Sequence, residues 1–206
     1  MTGNRNSNVR AKVWLKPDQI DAMRNAAYSD EFADYLQQRN DTVVKLLYEA
    51  GLRVGELVAL DVDHLRDGNR ELYLPGEIQK DYPNDNTPGP TTIGLDAETA
   101  RVLSSYLNAR WKDTDALFPS RKADRITEQG VRYVVEKLAN AAEVEPFLVD
   151  GTRGDPGDVT PHALRHSVAY RMMNDEEGNT LYDVRNRLRH RSIQTTEQVY
   201  DHLDRV

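Results

Sequence analysis

Apolar residues recur at helical spacing along most of this chain, and near its middle the spacing changes to that of short strands. In the first third the pattern predicts one helix that opens at Pro17, a second over about 41–50 and a third over about 53–60. Pro17 suits the first position of a helix, and Asp18 favours the positive end of the helix dipole. Gly51 separates the second helix from the third.

Three short runs in the middle of the chain have the composition of strands. They cover 71–74, 77–79 and 91–95, and a segment rich in Pro, Asn and Asp at 81–90 predicts a long turn between the last two. Helical spacing then resumes, with Asp or Thr at the cap positions. The predicted helices span about 96–111, 127–142, 160–174, 180–189 and 195 to the C-terminus. The whole pattern predicts a mainly α fold with a small antiparallel β-sheet, of the α+β class.

Length and composition limit the class of protein. The 206 residues suffice for one large domain, and no apolar run approaches the roughly 18 residues of a membrane span. Residues 1–11 hold no hydrophobic stretch, so we expect a disordered lead-in there and a single domain over 12–206. The chain has no cysteine, which excludes disulfides, thiolate nucleophiles and cysteine-bound zinc. We therefore expect a soluble, cytoplasmic protein without contact to a membrane.

The formal net charge of -7 is unusual for a protein that binds nucleic acid, whose binding face is normally basic. Either the cationic residues are segregated on one face, or the whole protein is adapted to molar salt. Arginines outnumber acidic residues over 162–191, although Arg171 and Arg185 have acidic neighbours with which to pair. Asp outnumbers Glu and Arg far outnumbers Lys, which we interpret as the composition of a halophilic archaeon. An ordinary acidic protein is the alternative.

Arg53 is the first residue whose position suits the binding of an anion. It directly follows Gly51 and Leu52 at the start of a predicted helix, where free backbone N–H groups can bind the same anion. Its alternative role is an ion pair on the helix surface with Glu56 or Glu49.

His162 and Arg165 lie three residues apart on the helix predicted from 160. At this spacing both side chains lie on one face and can hold a single phosphate, and His166 shares the face. The spacing of His162 and His166 also fits zinc, but the Glu that accompanies the first His in a metalloprotease helix is absent. We therefore predict neither a metal nor another cofactor.

Two further segments lie near the C-terminus. Residues 188–196 read Leu-Arg-His-Arg-Ser-Ile-Gln-Thr-Thr, and Tyr200-Asp201-His202 follows on the last predicted helix. Alone, the first would be a solvated basic patch and Tyr200 a packing residue. Together with Gly-Leu-Arg-x-x-Glu-Leu and His-x-x-Arg-His, in this order, they resemble the signature of the tyrosine recombinases, the phage integrase family. The resemblance covers about residue 12 to the C-terminus.

The resemblance implies the tyrosine recombinase catalytic-domain fold and a recombinase or integrase of a mobile element. Such an enzyme cleaves and rejoins double-stranded DNA at specific sites through a 3′-phosphotyrosyl intermediate, without metal or ATP. It also implies a homo-tetramer in the synaptic complex, formed from chains that are monomeric when free. The catalytic residues that it implies are Arg53, Lys80, His162, Arg165, His190 and Tyr200.

The implied roles follow the charge that develops in the reaction. A free tyrosine has a pKa near 10, so only about one in a thousand is phenolate at pH 7, and Tyr200 must lose its proton as it attacks. The transition state carries extra negative charge. The guanidinium groups of Arg53 and Arg165 suit it, and so does His190, whose neutral and cationic forms would both be available near pH 7. Lys80 would protonate the leaving 5′ oxygen. His162 would either accept the phenol proton or orient the phosphate.

The chain departs from the family pattern in four respects. Arg189 stands where the family commonly has glycine, so the backbone there is expected to lack glycine's freedom. The gap from His190 to Tyr200 is one residue longer than usual, and Lys80 lacks the usual Gly-Lys-Gly surroundings. We also expect no N-terminal core-binding domain.

Three other functions stay open at this point. One is a DNA-binding regulatory remnant of an integrase that has lost recombination, and another is relaxation of supercoiled DNA, as by a type IB topoisomerase. A metal-dependent nuclease is disfavoured because no cluster of carboxylates stands out.

Overall fold

Seven α-helices lie in the part of the chain that the computed structural model describes, residues 13–79, 87–148, 150–190 and 196. The helices are α1 (Pro17–Ala26), α2 (Asp34–Ala50), α3 (Val54–Ala59), α4 (Ala97–Ala109), α5 (Glu128–Ala141), α6 (Pro161–Tyr170) and α7 (Leu181–Leu188). Every helix predicted up to residue 190 is present, although α2 begins earlier than expected. The predicted lead-in over 1–11 lies outside the described residues, as does nearly all of the predicted last helix.

Two small antiparallel sheets accompany the helices. The first has the order β2 (Leu65–Arg66), β3 (Glu71–Leu74) and β4 (Thr91–Gly94), with Leu72 opposite both Leu65 and Ile93. The second pairs β1 (Val13–Trp14) with β5 (Phe147–Leu148). The strands predicted at 71–74 and 91–95 are therefore confirmed. The two-residue strands were missed because two residues carry no periodicity.

The strand predicted at 77–79 is wrong. Gly76–Ile78 forms a 3₁₀ turn, and Gln79 follows it as a buried residue. The Gln79 side-chain amide donates to the carbonyl oxygens of Leu74, Pro75 and Gly89. Because the Gln79 side chain satisfies carbonyl groups that a partner strand would otherwise bind, the segment 77–79 does not need to form a strand.

The four helix caps predicted within the described residues are confirmed, whereas the cap predicted at Thr195 lies outside them. Asp96 accepts a hydrogen bond from the backbone N–H of Thr99, and Thr127, Thr160 and Thr180 each accept one from the residue three positions on. Each bond satisfies an N–H group that has no partner within the helix. Beyond α6 the chain continues as one π-helical segment, Arg171–Asp175, so the helix predicted to 174 has nearly the expected length.

Helix α2 lies at the centre of the fold, because all its residues from 39 to 50 are buried. Helices α1, α4 and α6 pack around it. Burial of one aliphatic side chain contributes about 1.5–3 kcal/mol, and Val43, Leu46 and Leu47 are fully buried here. The C-terminal end of α2 is therefore enclosed by protein, where it meets α7. Every helix among the described residues falls short of the length and apolarity that a membrane span requires.

Candidate active site

The C-terminal ends of α2 and α7 meet at Arg165. This residue lies on α6 and is nearly buried, and its two terminal nitrogens donate to the carbonyl oxygens of Gly51 and Leu188. The last carbonyl groups of a helix have no partner within it and carry the negative end of its dipole. A buried guanidinium satisfies such groups and joins the two helix ends to α6.

Arg53 stands directly at the N-terminus of α3. Its guanidinium Nη1 lies 2.7 Å from Oε1 of Glu56, so the predicted ion pair is present. Its Nη2 donates to the carbonyl oxygen of Arg189 over 3.1 Å, which brings the same guanidinium to the end of α7. One quarter of the Arg53 side chain remains exposed, so it is also accessible to a ligand.

Glu56 is a functional candidate that the sequence did not single out. It is 1 % exposed and binds two arginines, since its Oε2 lies 2.6 Å from Nη2 of Arg189. Burial raises the pKa of a carboxyl group, but the charges of Arg189 and Arg53 outweigh this effect and hold the pKa of Glu56 below its usual value. Glu56 is therefore a carboxylate at neutral pH. Its place in the Gly-Leu-Arg-x-x-Glu-Leu motif was the available signal.

The expectation for the backbone at Arg189 is wrong. Arg189 has φ 51° and ψ 46°, the left-handed conformation that glycine adopts most easily. The residue tolerates this conformation because its side chain is fixed by the ion pair with Glu56 and by bonds to three backbone carbonyl groups, those of Ala50, Gly51 and Arg187. Tertiary contacts thus impose a conformation that the residue type disfavours.

His162 lies on α6 one turn before His166. The two Nε2 atoms are 2.8 Å apart, and the rings are nearly perpendicular. Desolvation and the charges of Arg165 and Arg53 lower the pKa of His162, although the residue is exposed on the surface. Because a lone pair must face an N–H across 2.8 Å, two neutral rings suit this contact.

His190 directly follows the left-handed residue and is half-buried. Its Nδ1 lies 3.1 Å from Oγ1 of the buried Thr196. Burial, followed by the charges of Arg165 and Arg53, lowers the pKa of His190 to about 3. A pKa this low makes the ring neutral near pH 7, whereas the sequence suggested that both of its protonation states are available there.

The structure brings four of the six predicted residues together: Arg53, His162, Arg165 and His190. Lys80 and Tyr200 lie outside the described residues. Glu56 forms ion pairs with Arg53 and Arg189, and the charge of the third guanidinium group, that of Arg165, also acts on this carboxylate. The cluster is therefore locally cationic within an acidic chain and can bind an anion such as a phosphate group.

Not every arginine of the basic stretch contributes to this cluster. Arg171 forms ion pairs with Glu49 and Glu176, each at 2.9 Å, as the alternative interpretation of this residue predicted. The cationic surface is thus narrower than the sequence suggested.

A group of side chains with metal-ligand spacing lies elsewhere. Within the described ranges, Asp61, Asp63 and His64 are the set of three whose ligand atoms approach within 4.8 Å of one another. Arg125 already pairs with Asp61, and the backbone N–H of Asp61 donates to Nδ1 of His64. These contacts give the three residues a role in the structure of this loop.

Comparison with known proteins agrees with the geometry. Residues 13–205 match the model of the phage integrase family. The chain is 29% identical over 200 residues to the tyrosine recombinase XerC of Bifidobacterium longum (strain DJO10A), covering 91% of this chain and 48% of that protein. It is 30% identical over 194 residues to the tyrosine recombinase XerD of Oceanobacillus iheyensis, covering 93% and 58%. The chain thus spans about half the length of the curated relatives that it matches.

The fold has relatives of known structure. The crystal structure of XerA recombinase matches with a TM-score of 0.70 and 25% identity over 91% of this chain and 59% of that one. An integrase of the transposon Tn1549, solved in complex with transposon right end DNA, matches with a TM-score of 0.70 and 19% identity over 97% and 64%. The second likeness is one of fold alone.

Proposed function

Because the chain belongs to the phage integrase family, we propose that it cuts and rejoins double-stranded DNA through a covalent bond between Tyr200 and a 3′ phosphate. The observation that carries this proposal is the convergence of Arg53, Arg165 and two histidines at the junction of α2, α6 and α7. These four residues come from segments that are far apart in the sequence. The proposed catalytic unit comprises residues 12–206.

The two guanidinium groups stabilise the transition state. Attack on a phosphodiester places extra negative charge on the non-bridging oxygens, and fixed cations aimed at these oxygens lower the barrier more than they stabilise the ground state. Arg165 is held by the two helix ends and Arg53 by Glu56, so neither must reorganise when the charge develops.

The covalent step exchanges one phosphate ester for another. The phenol oxygen of Tyr200 forms a bond to phosphorus and loses its proton, while the bond from phosphorus to the 5′ oxygen breaks and that oxygen takes up a proton from Lys80. His162 accepts the phenol proton, or it orients the phosphate while a solvent molecule accepts that proton. The tyrosyl ester conserves the energy of the broken bond, so that a 5′ hydroxyl can reverse the step without ATP.

His190 acts as a neutral hydrogen-bond donor in this proposal. Nδ1 of the ring lies 3.1 Å from Oγ1 of Thr196, and in this proposal Nε2 donates to a phosphate oxygen. An approaching phosphate raises the pKa of a nearby imidazole, because opposite charge favours the cationic form. A bound phosphate is therefore expected to raise the pKa of His190 above its value of about 3.

We further propose the context of the reaction. The chain is monomeric when free and forms a homo-tetramer on two DNA sites, as integrases of mobile elements require for strand exchange. The acidic composition suits a halophilic archaeon, in which high salt screens the repulsion between carboxylates and DNA.

The test is covalent capture of DNA. The protein is incubated in excess EDTA with a pool of nicked duplexes of random sequence, from which the cleaved end diffuses away. We expect an adduct that survives SDS, is lost in Tyr200→Phe and carries a defined sequence at the trapped end. An adduct formed by Tyr200→Phe, or cleavage that EDTA abolishes, contradicts the proposal.

Two further assays separate the alternative functions. Binding to DNA without any adduct indicates a regulatory remnant. Relaxation of a supercoiled plasmid without exchange of strands indicates an activity like that of a type IB topoisomerase.

A further inference from the structure

Arg189 combines a left-handed backbone with a charged side chain that is almost fully enclosed. Its φ is 51°, and only 8% of its side chain is exposed. Both properties oppose folding, since the left-handed region disfavours residues with a Cβ and burial disfavours an ion. A residue that combines them is held in place by strong contacts, and these contacts are the basis of the inference.

The contacts of Arg189 link the ends of two helices. Nη1 donates to the carbonyl oxygen of Arg187 over 2.9 Å and to that of Ala50 over 3.4 Å, and Nη2 donates to that of Gly51 over 3.2 Å. Arg187 lies near the end of α7, whereas Ala50 and Gly51 end α2. One side chain therefore satisfies C-terminal carbonyl groups of both helices.

Glu56 connects Arg189 with the proposed phosphate-binding arginine. Its Oε1 binds Arg53 at 2.7 Å, and its Oε2 binds Arg189 at 2.6 Å. A third contact joins Arg53 directly to Arg189, because Nη2 of Arg53 donates to the carbonyl oxygen of Arg189. Three residues from two distant segments thus form a closed ring of contacts, and a shift of one displaces the others.

We infer that Arg189 is a positioning residue, which sets Arg53 through Glu56 and His190 through the helix end that it caps. The inference rests on the proposed function, because it assigns Arg189 a part in that reaction. Without the Arg189 side chain, Glu56 pairs with Arg53 alone and is less firmly fixed. The end of α7, which His190 follows, also loses the contacts that hold it to α2. Displacement of a reacting group by about 1 Å can lower a rate by about 10²-fold.

The informative variant is Arg189→Gly. Glycine adopts φ 51° without strain, so this change removes the side chain and keeps the backbone conformation, which alanine would not do. Arg110→Gly is the matched control, since Arg110 also follows a helix end and donates to two backbone carbonyl groups, those of Thr114 and Ala116. Arg110 belongs to no part of the proposed site.

The first readout is the rate of adduct formation in a single turnover. We expect Arg189→Gly to lower this rate by about 10²-fold with little change in DNA affinity, and Arg110→Gly to leave it unchanged. Arg189→Lys keeps the charge but loses the forked donors, and we expect partial recovery. In a Glu56→Gln background the effect of Arg189→Gly is expected to shrink, because its route to Arg53 is already broken.

The second readout does not depend on activity. The pKa of His190 is measured by NMR titration of the imidazole nitrogens in the free protein. Within the described residues, the charged or titratable groups facing this ring are Arg53 at the start of α3, Arg165 and His162 on α6, and Arg189 itself. Burial is the main cause of the low pKa, and the charge of Arg189 adds to it. A return toward the usual 6.5 that occurs in Arg189→Gly and also in Arg189→Lys, which keeps the charge, therefore marks loss of the enclosed position, whereas a rise in Arg189→Gly alone reflects the lost charge and counts against the inference. Arg110→Gly keeps the low value.

The outcomes separate the inference from the proposed function. An Arg189→Gly protein that forms adduct at the unaltered rate and retains the low pKa of His190 overturns the inference. A protein that forms no adduct on any duplex overturns the proposed function. In that case the NMR comparison alone decides whether Arg189 fixes the position of His190.

Discussion

At the scale of single residues, Arg165 holds together two helix ends and is also proposed to bind a phosphate. Its contacts are to carbonyl oxygens of Gly51 and Leu188, which lie on either side of it in the sequence. The two tasks need the same property, a planar group with several donors in fixed directions. Replacement of Arg165 by lysine, which keeps the charge as a compact ammonium group without these directed donors, tests the structural and the proposed catalytic role together.

Arg165→Lys is expected to lower adduct formation by about 10²–10³-fold, the usual effect of removing one donor to a charged transition state. We expect the free energy of unfolding to fall by about 1–3 kcal/mol, because a buried carbonyl group loses its partner. Single-turnover kinetics and urea denaturation measure the two effects. Arg101→Lys on the exposed face of α4 serves as the control and should change neither.

His190 makes the stability depend on pH. Its pKa is about 3 in the folded protein and near 6.5 in the unfolded chain, so below 6.5 the unfolded state takes up a proton that the folded state excludes. Stability is therefore expected to fall as the pH falls from about 6.5 toward 3, with a slope approaching about 1.4 kcal/mol per pH unit for this one proton. His162, whose pKa is also lowered, adds to the slope in the same direction.

Urea denaturation between pH 7 and pH 5 measures this slope. The pKa of Glu56 is lowered in the folded protein, so its uptake of a proton on unfolding belongs mainly to pH values below the usual 4.5, outside this window. His190→Gln should flatten the curve. An equal slope in that variant contradicts the assignment of the proton uptake to His190.

At the scale of elements, the contact between the ends of α2 and α7 depends on Gly51. This residue has φ +58°, and a Cβ at this position would lie 2.6 Å from Cδ2 of Leu188. Gly51 therefore meets two requirements at once, a left-handed helix end and a close approach of α7.

Gly51→Ala is expected to destabilise the fold by more than the roughly 1–2 kcal/mol that the left-handed backbone alone costs. Gly68→Ala is the matched control, since Gly68 has φ +59° and open space around the added Cβ. Thermal or urea unfolding of both variants separates the backbone effect from the contact. Equal losses would show that the packing of Leu188 against α2 adds nothing.

Elements with a local signal were predictable, and those without one were not. The caps at Asp96, Thr127, Thr160 and Thr180 were predicted because a cap needs only a side chain and an N–H group three residues away. The strand at 77–79 was predicted wrongly because its carbonyl groups are satisfied by the side chain of Gln79 and not by another strand.

At the scale of the whole molecule, charge is unevenly distributed. The chain carries 34 acidic and 27 basic residues, yet the candidate site gathers three arginines around one carboxylate. Segregation of charge thus accounts for an anion site in an acidic protein. The remaining acidic surface repels itself at low salt.

We expect the unfolding temperature to rise from dilute buffer to molar KCl. Screening of repulsion accounts for the first part of the rise, because the Debye length is about 10 Å at 0.1 M salt. A further rise toward molar salt is expected only of a protein whose carboxylates are adapted to it. Thermal unfolding across a KCl series is the measurement, and a curve that is flat above the screening range favours an ordinary acidic protein.

The sequence by itself determined the helices, their caps, the family and the identities of the candidate catalytic residues, because these depend on spacing along the chain. The tertiary structure decided how those residues are held. Glu56 and Arg189 are 133 residues apart, and no local pattern predicts that they share a buried ion pair. The left-handed backbone at Arg189 and the neutral state of His190 likewise arise from groups that only folding brings near.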